Sequence, residues 1–208
     1  MKWSGLLRLV AMLMLLGGCA SSIIGDGTPP TRFFIISPLT LSPAMAEAGS
    51  SGREIGVAVE PLLIPSYLDR PQIVIRTGGG NELFISEFNQ WGESLRGNLS
   101  RVLIENLSLL LNSDRIFLMP GLKRQRPDFR AFVKIIQFER DGDGTIRLTI
   151  RWKLSDRGKK VLFRESLVLT GAKVALGDYP AIAQTMSHLL TEFAHRMVAV
   201  IQKQAVPG

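Results

Sequence analysis

The sequence predicts an α+β fold, in which a mainly antiparallel sheet carries two long helices packed on one face. Eight short segments are rich in β-branched and aromatic residues, as strands are. Three of them follow one another with short polar turns between, which indicates an antiparallel meander. Two longer segments repeat apolar residues at helical spacing, and the order along the chain is strands, helix, strands, helix.

Four predicted strands precede the first helix: 32–37, 55–59, 72–77 and 82–86. The last two alternate apolar and polar residues on either side of Gly78-Gly79-Gly80-Asn81, which predicts a hairpin. Residues 38–52 predict a loop. Three prolines within 60–71 exclude a regular element there.

Both helices show one apolar stripe. The first is predicted from Asn89 to Leu111, and its stripe contains Trp91, Leu95, Leu99, Val102, Leu103, Leu107 and Leu110. The last is predicted to be capped by Asp178, with Pro180 in its first turn. Its stripe contains Ile182, Met186, Leu189, Phe193, Met197 and Val200.

The second group of strands is predicted at 115–119, 129–138, 146–154 and 161–170. In the third of these, alternation places one set of residues on each face of the sheet. One set is Leu148, Ile150, Trp152 and Leu154, and the other is Arg147, Thr149, Arg151 and Lys153. One face is therefore expected to join the core and the other to be solvated and basic.

Residues 1–18 are predicted to be a signal peptide. Lys2 and Arg8 give a positive start, the apolar run Leu9 to Leu16 follows, and two glycines precede a cysteine. As a helix the eight-residue run would span about 12 Å. The hydrocarbon core of a bilayer is about 30 Å thick, so this run cannot form a stable membrane span.

The end of that segment, Leu16-Gly17-Gly18-Cys19, resembles the bacterial lipobox. The resemblance implies cleavage before Cys19, a diacylglycerol on its sulfur and an N-acyl chain on its amino group, with no other cofactor. The alternative is an ordinary signal peptide with a chance cysteine. Cys19 is the only cysteine, so no disulfide can form. Ala20 stands where an inner-membrane lipoprotein typically has Asp, which implies the outer membrane, on its periplasmic face.

The mature chain is predicted to be a lipidated flexible tether over 19–31 followed by a single α+β domain over 32–206. The whole chain carries a formal net charge of +7. This excess favours anionic lipid headgroups or acidic partners over nucleic acid, although dispersed charge that only aids solubility explains it equally well. The basic turns at 123–126 and 157–160 are either solvated loops or a headgroup-binding patch.

Motifs for catalysis or metal binding are not found in the sequence. It lacks Gly-x-Ser-x-Gly, and His188 and His195 are too far apart along the last helix to share one metal ion easily. Asp141-Gly142-Asp143-Gly144 begins like a calcium loop, but Trp152 occupies the position of the closing glutamate. We therefore expect no catalytic residue, no metal ligand and no enzyme activity.

The stretch from Ile64 to Arg76 reads IPSYLDRPQIVIR, and a tryptophan-containing helix start, Phe88 to Glu93, follows the hairpin. This order resembles the PqiC-like (YmbA) lipoproteins, the auxiliary lipoproteins of ABC-type intermembrane transport systems. These proteins carry Tyr-Leu-Asp-Arg-Pro-Gln-Ile-Val after a proline. The resemblance extends from the lipobox to the first helix and is weaker in the meander.

The resemblance implies a non-catalytic envelope protein that docks an MCE-domain protein of a lipid transport system. Tyr67, Asp69, Arg70 and Arg76 are the implied partner contacts; alternatively, this stretch is a proline-rigidified loop leading into an edge strand. A homo-oligomeric ring is compatible with partners that themselves form rings. The competing hypotheses are a lipid carrier with a pocket between sheet and helices and, less favoured, an envelope hydrolase.

Overall fold

The computed structural model describes residues 28–40, 54–78, 81–120 and 126–205. Within these residues, eight strands and two helices follow one another in the predicted order. The strands are β1 Arg32–Phe34, β2 Val57–Val59, β3 Gln72–Thr77, β4 Glu82–Trp91, β5 Ile116–Leu118, β6 Phe129–Arg140, β7 Thr145–Asp156 and β8 Val161–Lys173. The helices are α1 Leu95–Leu111 and α2 Tyr179–Ala205.

Strand β6 is the centre of the sheet. One of its edges pairs antiparallel with β7 along the strand, and β7 pairs in the same way with β8. The other edge is shared: β2 pairs in parallel with residues 129–131, and β3 meets β6 in parallel at Arg140. Beyond β2 lies β5, and beyond β3 lie β4 and then β1. The sheet is thus split into two branches on this side.

The prediction of a mainly antiparallel sheet is wrong, because the sheet is mixed. Four of the seven strand pairings among the described residues are parallel, namely β1 with β4, β2 with β5, β2 with β6 and β3 with β6. The predicted hairpin of β3 and β4 and the meander of β6 to β8 are confirmed. Short turns reveal antiparallel neighbours in a sequence, whereas parallel partners need long connections that leave no local pattern.

The predicted start of the first helix is also wrong. Helix α1 begins at Leu95, and Trp91 belongs to the end of β4. The Trp91 N–H donates to the Pro71 carbonyl at 2.7 Å, and this end of β4 pairs with β1, which lies far away in sequence. The predicted end is confirmed: Asn112 has a left-handed φ of 46°, and its N–H donates to Leu109.

Helix α2 packs on the face of the β6–β8 meander that carries the core residues of β7. Trp152 of β7 meets the Phe193 ring edge-on at a centroid distance of 5.9 Å, and the Phe163 ring lies 5.1 Å away. Gly171 allows α2 to approach β8, because a Cβ at this position would lie 2.4 Å from the Thr185 methyl carbon. Helix α1 packs against α2 and β5.

Two buried asparagines of α1 hold the segment that follows β1. The Asn98 side chain accepts from the Ile36 N–H at 2.7 Å and donates to the Ile36 carbonyl at 2.9 Å. The Asn106 side chain accepts from the Leu39 N–H at 2.8 Å and donates to the Thr191 hydroxyl at 3.2 Å. The Ser37 N–H donates to the Ser187 hydroxyl of α2 at 3.0 Å, so the segment that leads in from the predicted tether is bound to both helices.

The predicted start of the last helix is confirmed. The Asp178 carboxylate accepts from the Ala181 N–H at 3.1 Å, and Pro180 lies in the first turn. The apolar stripe of α2 faces the core, with Ile182, Phe193 and Met197 fully buried. Neither helix in the described part of the chain is long and apolar enough to cross a bilayer.

Candidate functional site

The loop between β2 and β3 is held in a compact turn. The Leu68 N–H donates to the Pro65 carbonyl at 3.0 Å, and the Leu68 side chain is buried. At the end of the loop, the Pro71 carbonyl accepts the Trp91 N–H. The prolines and these bonds fix the backbone on both sides of the residues that the family resemblance singled out.

Tyr67 and Arg76 converge on Glu139, whose side chain has no solvent exposure. The Arg76 Nε lies 2.6 Å from Glu139 Oε1, and the Tyr67 hydroxyl lies 3.2 and 3.1 Å from the two carboxylate oxygens. The Arg76 guanidinium also lies over the Tyr67 ring, 5.6 Å from its centroid. We call Tyr67, Arg76 and Glu139 the Glu139 cluster. The Glu139 carboxylate also accepts from the Phe138 N–H at 2.9 Å.

The electrostatics of the Glu139 cluster shift the pKa of Tyr67 and of Arg76. Burial, followed by the charge of Glu139, raises the pKa of the Tyr67 hydroxyl above 10.0. Burial opposes the charge of Arg76, but hydrogen bonds to Glu139 and Tyr67 outweigh it and raise the pKa of the guanidinium. Tyr67 is therefore neutral and Arg76 charged at physiological pH.

Asp69 forms an ion pair with Arg96, which lies in the first turn of α1. Both side chains are substantially exposed, so the pair adds little stability. It connects the loop to the helix across the gap between them.

Arg70 is the exception among the four predicted partner contacts. Its guanidinium makes no hydrogen bond or ion pair with the described residues, and its Nε is buried. It lines a groove of about 440 Å³ between the loop, the end of β4 and the start of α1. Phe33, on the rim of this groove, is 65 % exposed. We call this the Arg70 groove.

Glu139 was not singled out by the sequence, although a signal was present. Its strand alternates up to Ile135, where a β-bulge between Ile135 and Gln137 shifts the register. Glu139 therefore stands opposite Arg147, on the face away from the helices. The consecutive apolar pair Ile135-Ile136 in an otherwise alternating strand is the pattern that indicates such a bulge.

The other sequence motifs have ordinary settings. His188 and His195 are exposed on α2, and the described residues contain no group of three or more metal-ligating side chains. The Gly144 N–H donates to the Asp141 carbonyl at 2.9 Å, as the predicted turn requires. Arg157, in the second basic turn, pairs with Asp128. Cys19, the signal peptide, most of the tether and residues 123–125 lie outside the described residues.

Comparison with known proteins gives the fold independent support. The chain is similar to an uncharacterised protein of known crystal structure, with a TM-score of 0.65 and 16% identity over 83% of this chain and 99% of that one. It is also similar to protein XCC0632 from Xanthomonas campestris, with a TM-score of 0.58 and 17% identity over 85% and 95%. At these identities the likeness concerns the fold alone.

No curated protein matches the chain. A family model does, over residues 39–198, which include every described element except β1 and the last two turns of α2. The family is described as the ABC-type transport auxiliary lipoprotein component. This description agrees with the lipobox and with the Tyr67 to Arg76 stretch. The chain therefore belongs to the family of ABC-type transport auxiliary lipoproteins, membrane-anchored proteins of the cell envelope.

Proposed function

We propose that this chain is a non-catalytic docking component of an MCE-type ABC intermembrane lipid transport system. In this proposal, acyl chains on Cys19 anchor it in the outer membrane, and the folded domain faces the periplasm. The observation that carries the proposal is the Arg70 groove, where a cation with no partner among the described residues lies within the stretch that resembles the family.

The proposed anchor suits a docking role. Several acyl chains give stable attachment where one chain would be marginal. A tether of about twelve residues reaches about 40 Å when extended. It confines the domain near the membrane and raises the effective concentration for a weak contact with a partner.

The groove suits a protein partner. A partner carboxylate that enters it would satisfy the Arg70 guanidinium in a charge-assisted pair, which is among the stronger polar contacts. The exposed Phe33 on the rim offers apolar area beside that charge. Arg and aromatic residues are the types that most often dominate binding energy at protein interfaces.

Two further observations favour docking over the alternatives. Large side chains such as Trp152, Phe138 and Phe193 are fully buried in the core around α2, which favours a docking domain over a lipid carrier. In the Glu139 cluster the buried carboxylate is bound by Arg76 and Tyr67, which supports a structural role for these charges.

The test is co-purification of the full-length lipidated protein from native membranes. We expect an MCE-domain protein and the ABC subunits to be recovered with the wild-type chain, and to be lost with Arg70→Glu. Lys203→Glu, on an exposed residue near the end of α2, is the charge-matched control and should retain them. Recovery of no MCE-domain protein would contradict the proposed partner, and retention by Arg70→Glu would contradict the groove. The mass of the extracted complex tests the expected ring.

The anchor and the carrier alternative have separate tests. Cys19→Ala should release the protein from the outer-membrane fraction or leave it unprocessed, and a variant that stayed attached and correctly cleaved would overturn the anchor.

Organic extraction of the purified protein should yield no stoichiometric lipid beyond the covalent chains. A stoichiometric free lipid would favour the carrier.

A further inference from the structure

We propose that the outer face of the meander is a second membrane contact, which lies against the anionic headgroups of the bilayer that carries the anchor. This proposal depends on the chain being a membrane-anchored lipoprotein and not on the identity of the transporter. It is carried by an arrangement of cations on β6, β7 and β8 that the fold itself does not use.

Two cross-strand rows make up this face. Register places Lys134, Arg151 and Ser166 in one row, and Phe132, Lys153 and Arg164 in the next. All four cations are exposed, and no acid occupies any of the six positions. We call these two rows the basic sheet face.

The cations lie close together. Neighbouring strands are about 4.8 Å apart, and residues two apart along a strand are about 6.8 Å apart. Lys134 faces Arg151 directly, and Lys153 faces Arg164. Like charges directly opposite each other destabilise a sheet. Among the described residues none of the four forms an ion pair, although the Lys153 Nζ lies 5.0 Å from the centre of the Phe132 ring.

An anion that binds the basic sheet face from outside the domain relieves the repulsion between its four cations. Clusters of four to eight Lys and Arg beside a membrane anchor are typical of anionic lipid recognition. The turn after β7 continues the charge with Lys159 and Lys160, both exposed. Val168, in the next row of β8, is 54 % exposed and offers apolar contact at the headgroup level.

An acidic protein is the less suitable partner. Cores of protein interfaces are depleted in Lys, and here two of the four cations are Lys. The face is a sheet surface with only a shallow depression of about 500 Å³ beside Phe132. Long mobile cations over a broad surface suit many equivalent phosphates better than one fixed set of carboxylates.

The test uses the full lipidated protein, in which the Cys19 sulfur is blocked, so that an introduced cysteine is the only free thiol. A fluorophore is placed on the basic sheet face by Ser166→Cys and, as the control, on the exposed side of α2 by Gln184→Cys. Each protein is reconstituted into phosphatidylcholine vesicles with and without phosphatidylglycerol, all containing a headgroup-attached quencher.

We expect phosphatidylglycerol to increase quenching at residue 166 several-fold, added salt to reverse it, and quenching at residue 184 to stay the same. Arg151→Glu combined with Arg164→Glu should abolish the increase, because each lost cation weakens adsorption about fivefold. Arg32→Glu with Lys203→Glu makes the same change in net charge off this face and should retain it.

Equal quenching at residue 166 with and without phosphatidylglycerol would overturn the proposal, as would an increase that survives the double charge reversal. An acidic protein partner would be favoured instead if phosphatidylglycerol left quenching at residue 166 unchanged and reconstitution with the transporter lowered the solvent accessibility of the fluorophore. Circular dichroism of each variant checks that the sheet is intact.

Discussion

The Glu139 cluster and the basic sheet face lie on the same sheet, yet their charges are handled in opposite ways. In the Glu139 cluster the carboxylate is fully buried, and Arg76 and Tyr67 bind it directly. On the basic sheet face four cations are exposed, and none is ion-paired within the described residues. Arg70 resembles the second group in one respect: its guanidinium has no partner among the described residues, although its Nε is buried.

The difference separates charges that maintain the fold from charges that remain available to a partner. A buried ion must be paired, because an uncompensated charge in the interior is strongly destabilising. An exposed cation is solvated and contributes little to folding. If this division is right, substitutions in the two groups will change stability and binding in opposite proportions.

The largest effect is expected from Glu139→Ala. This change removes the negative charge that Glu139 places beside the Arg76 guanidinium, which is only 22% exposed. The free energy of unfolding should fall by about 3 kcal/mol. Urea denaturation measures it.

The matched control is the double variant Glu139→Met with Arg76→Met, which removes both charges and preserves much of the volume. It should lose clearly less stability than Glu139→Ala, because it replaces the whole ion pair and does not remove one partner of it. Equal losses in the single and double variants would mean that packing, and not charge pairing, is what the cluster supplies.

Tyr67→Phe is expected to have a smaller effect, about 1 kcal/mol, because it removes one hydroxyl from the cluster. The raised pKa of Tyr67 adds a pH signature. The stability that its neutral hydroxyl contributes is fully present below pH 10 and is lost as the pH rises through the higher folded-state pKa. Urea denaturation across this alkaline range should show a steeper loss for the wild type than for Tyr67→Phe, and parallel curves would contradict the assignment.

The parts of the fold that are visible in the sequence are those with local patterns. Alternation in 146–154 identified both the core face and the basic face of β7, and the burial of the two faces agrees. The cap of α2 and the end of α1 were also local signals. The parallel pairings of β1, β2 and β5 were not, because each of these strands has three residues and its partner lies far along the chain.

The candidate site was predictable only in part, for a similar reason. Tyr67, Asp69, Arg70 and Arg76 came from one continuous stretch, but their partners Glu139 and Arg96 come from β6 and α1. The bulge that turns Glu139 toward Tyr67 and Arg76 can be recognised only once the register between β6 and β7 is known. The structure was therefore needed to show which cations are paired and which are not.

On the basic sheet face, Arg151→Gln should change stability and binding in opposite directions. Removing one of two like charges that face each other relieves repulsion, so the free energy of unfolding should rise by about 0.5 kcal/mol. Attachment of this face to vesicles containing phosphatidylglycerol should weaken about fivefold. Thermal unfolding and the residue-166 probe measure the two effects, and Lys203→Gln is the control. A stability loss above about 1 kcal/mol would place Arg151 with the structural charges.

The smallest change in stability is expected from Arg70→Met. Methionine keeps an unbranched apolar stem, and the lost guanidinium has no partner among the described residues, so the free energy of unfolding should stay within about 0.5 kcal/mol. Co-purification with the transporter should nevertheless be lost. Arg76→Met makes the same chemical change inside the Glu139 cluster, and there it should destabilise by about 3 kcal/mol, because the buried carboxylate loses the positive charge beside it. Equal effects of the two substitutions on stability would remove the distinction between paired and available charges, since one arginine would then support the fold as much as the other.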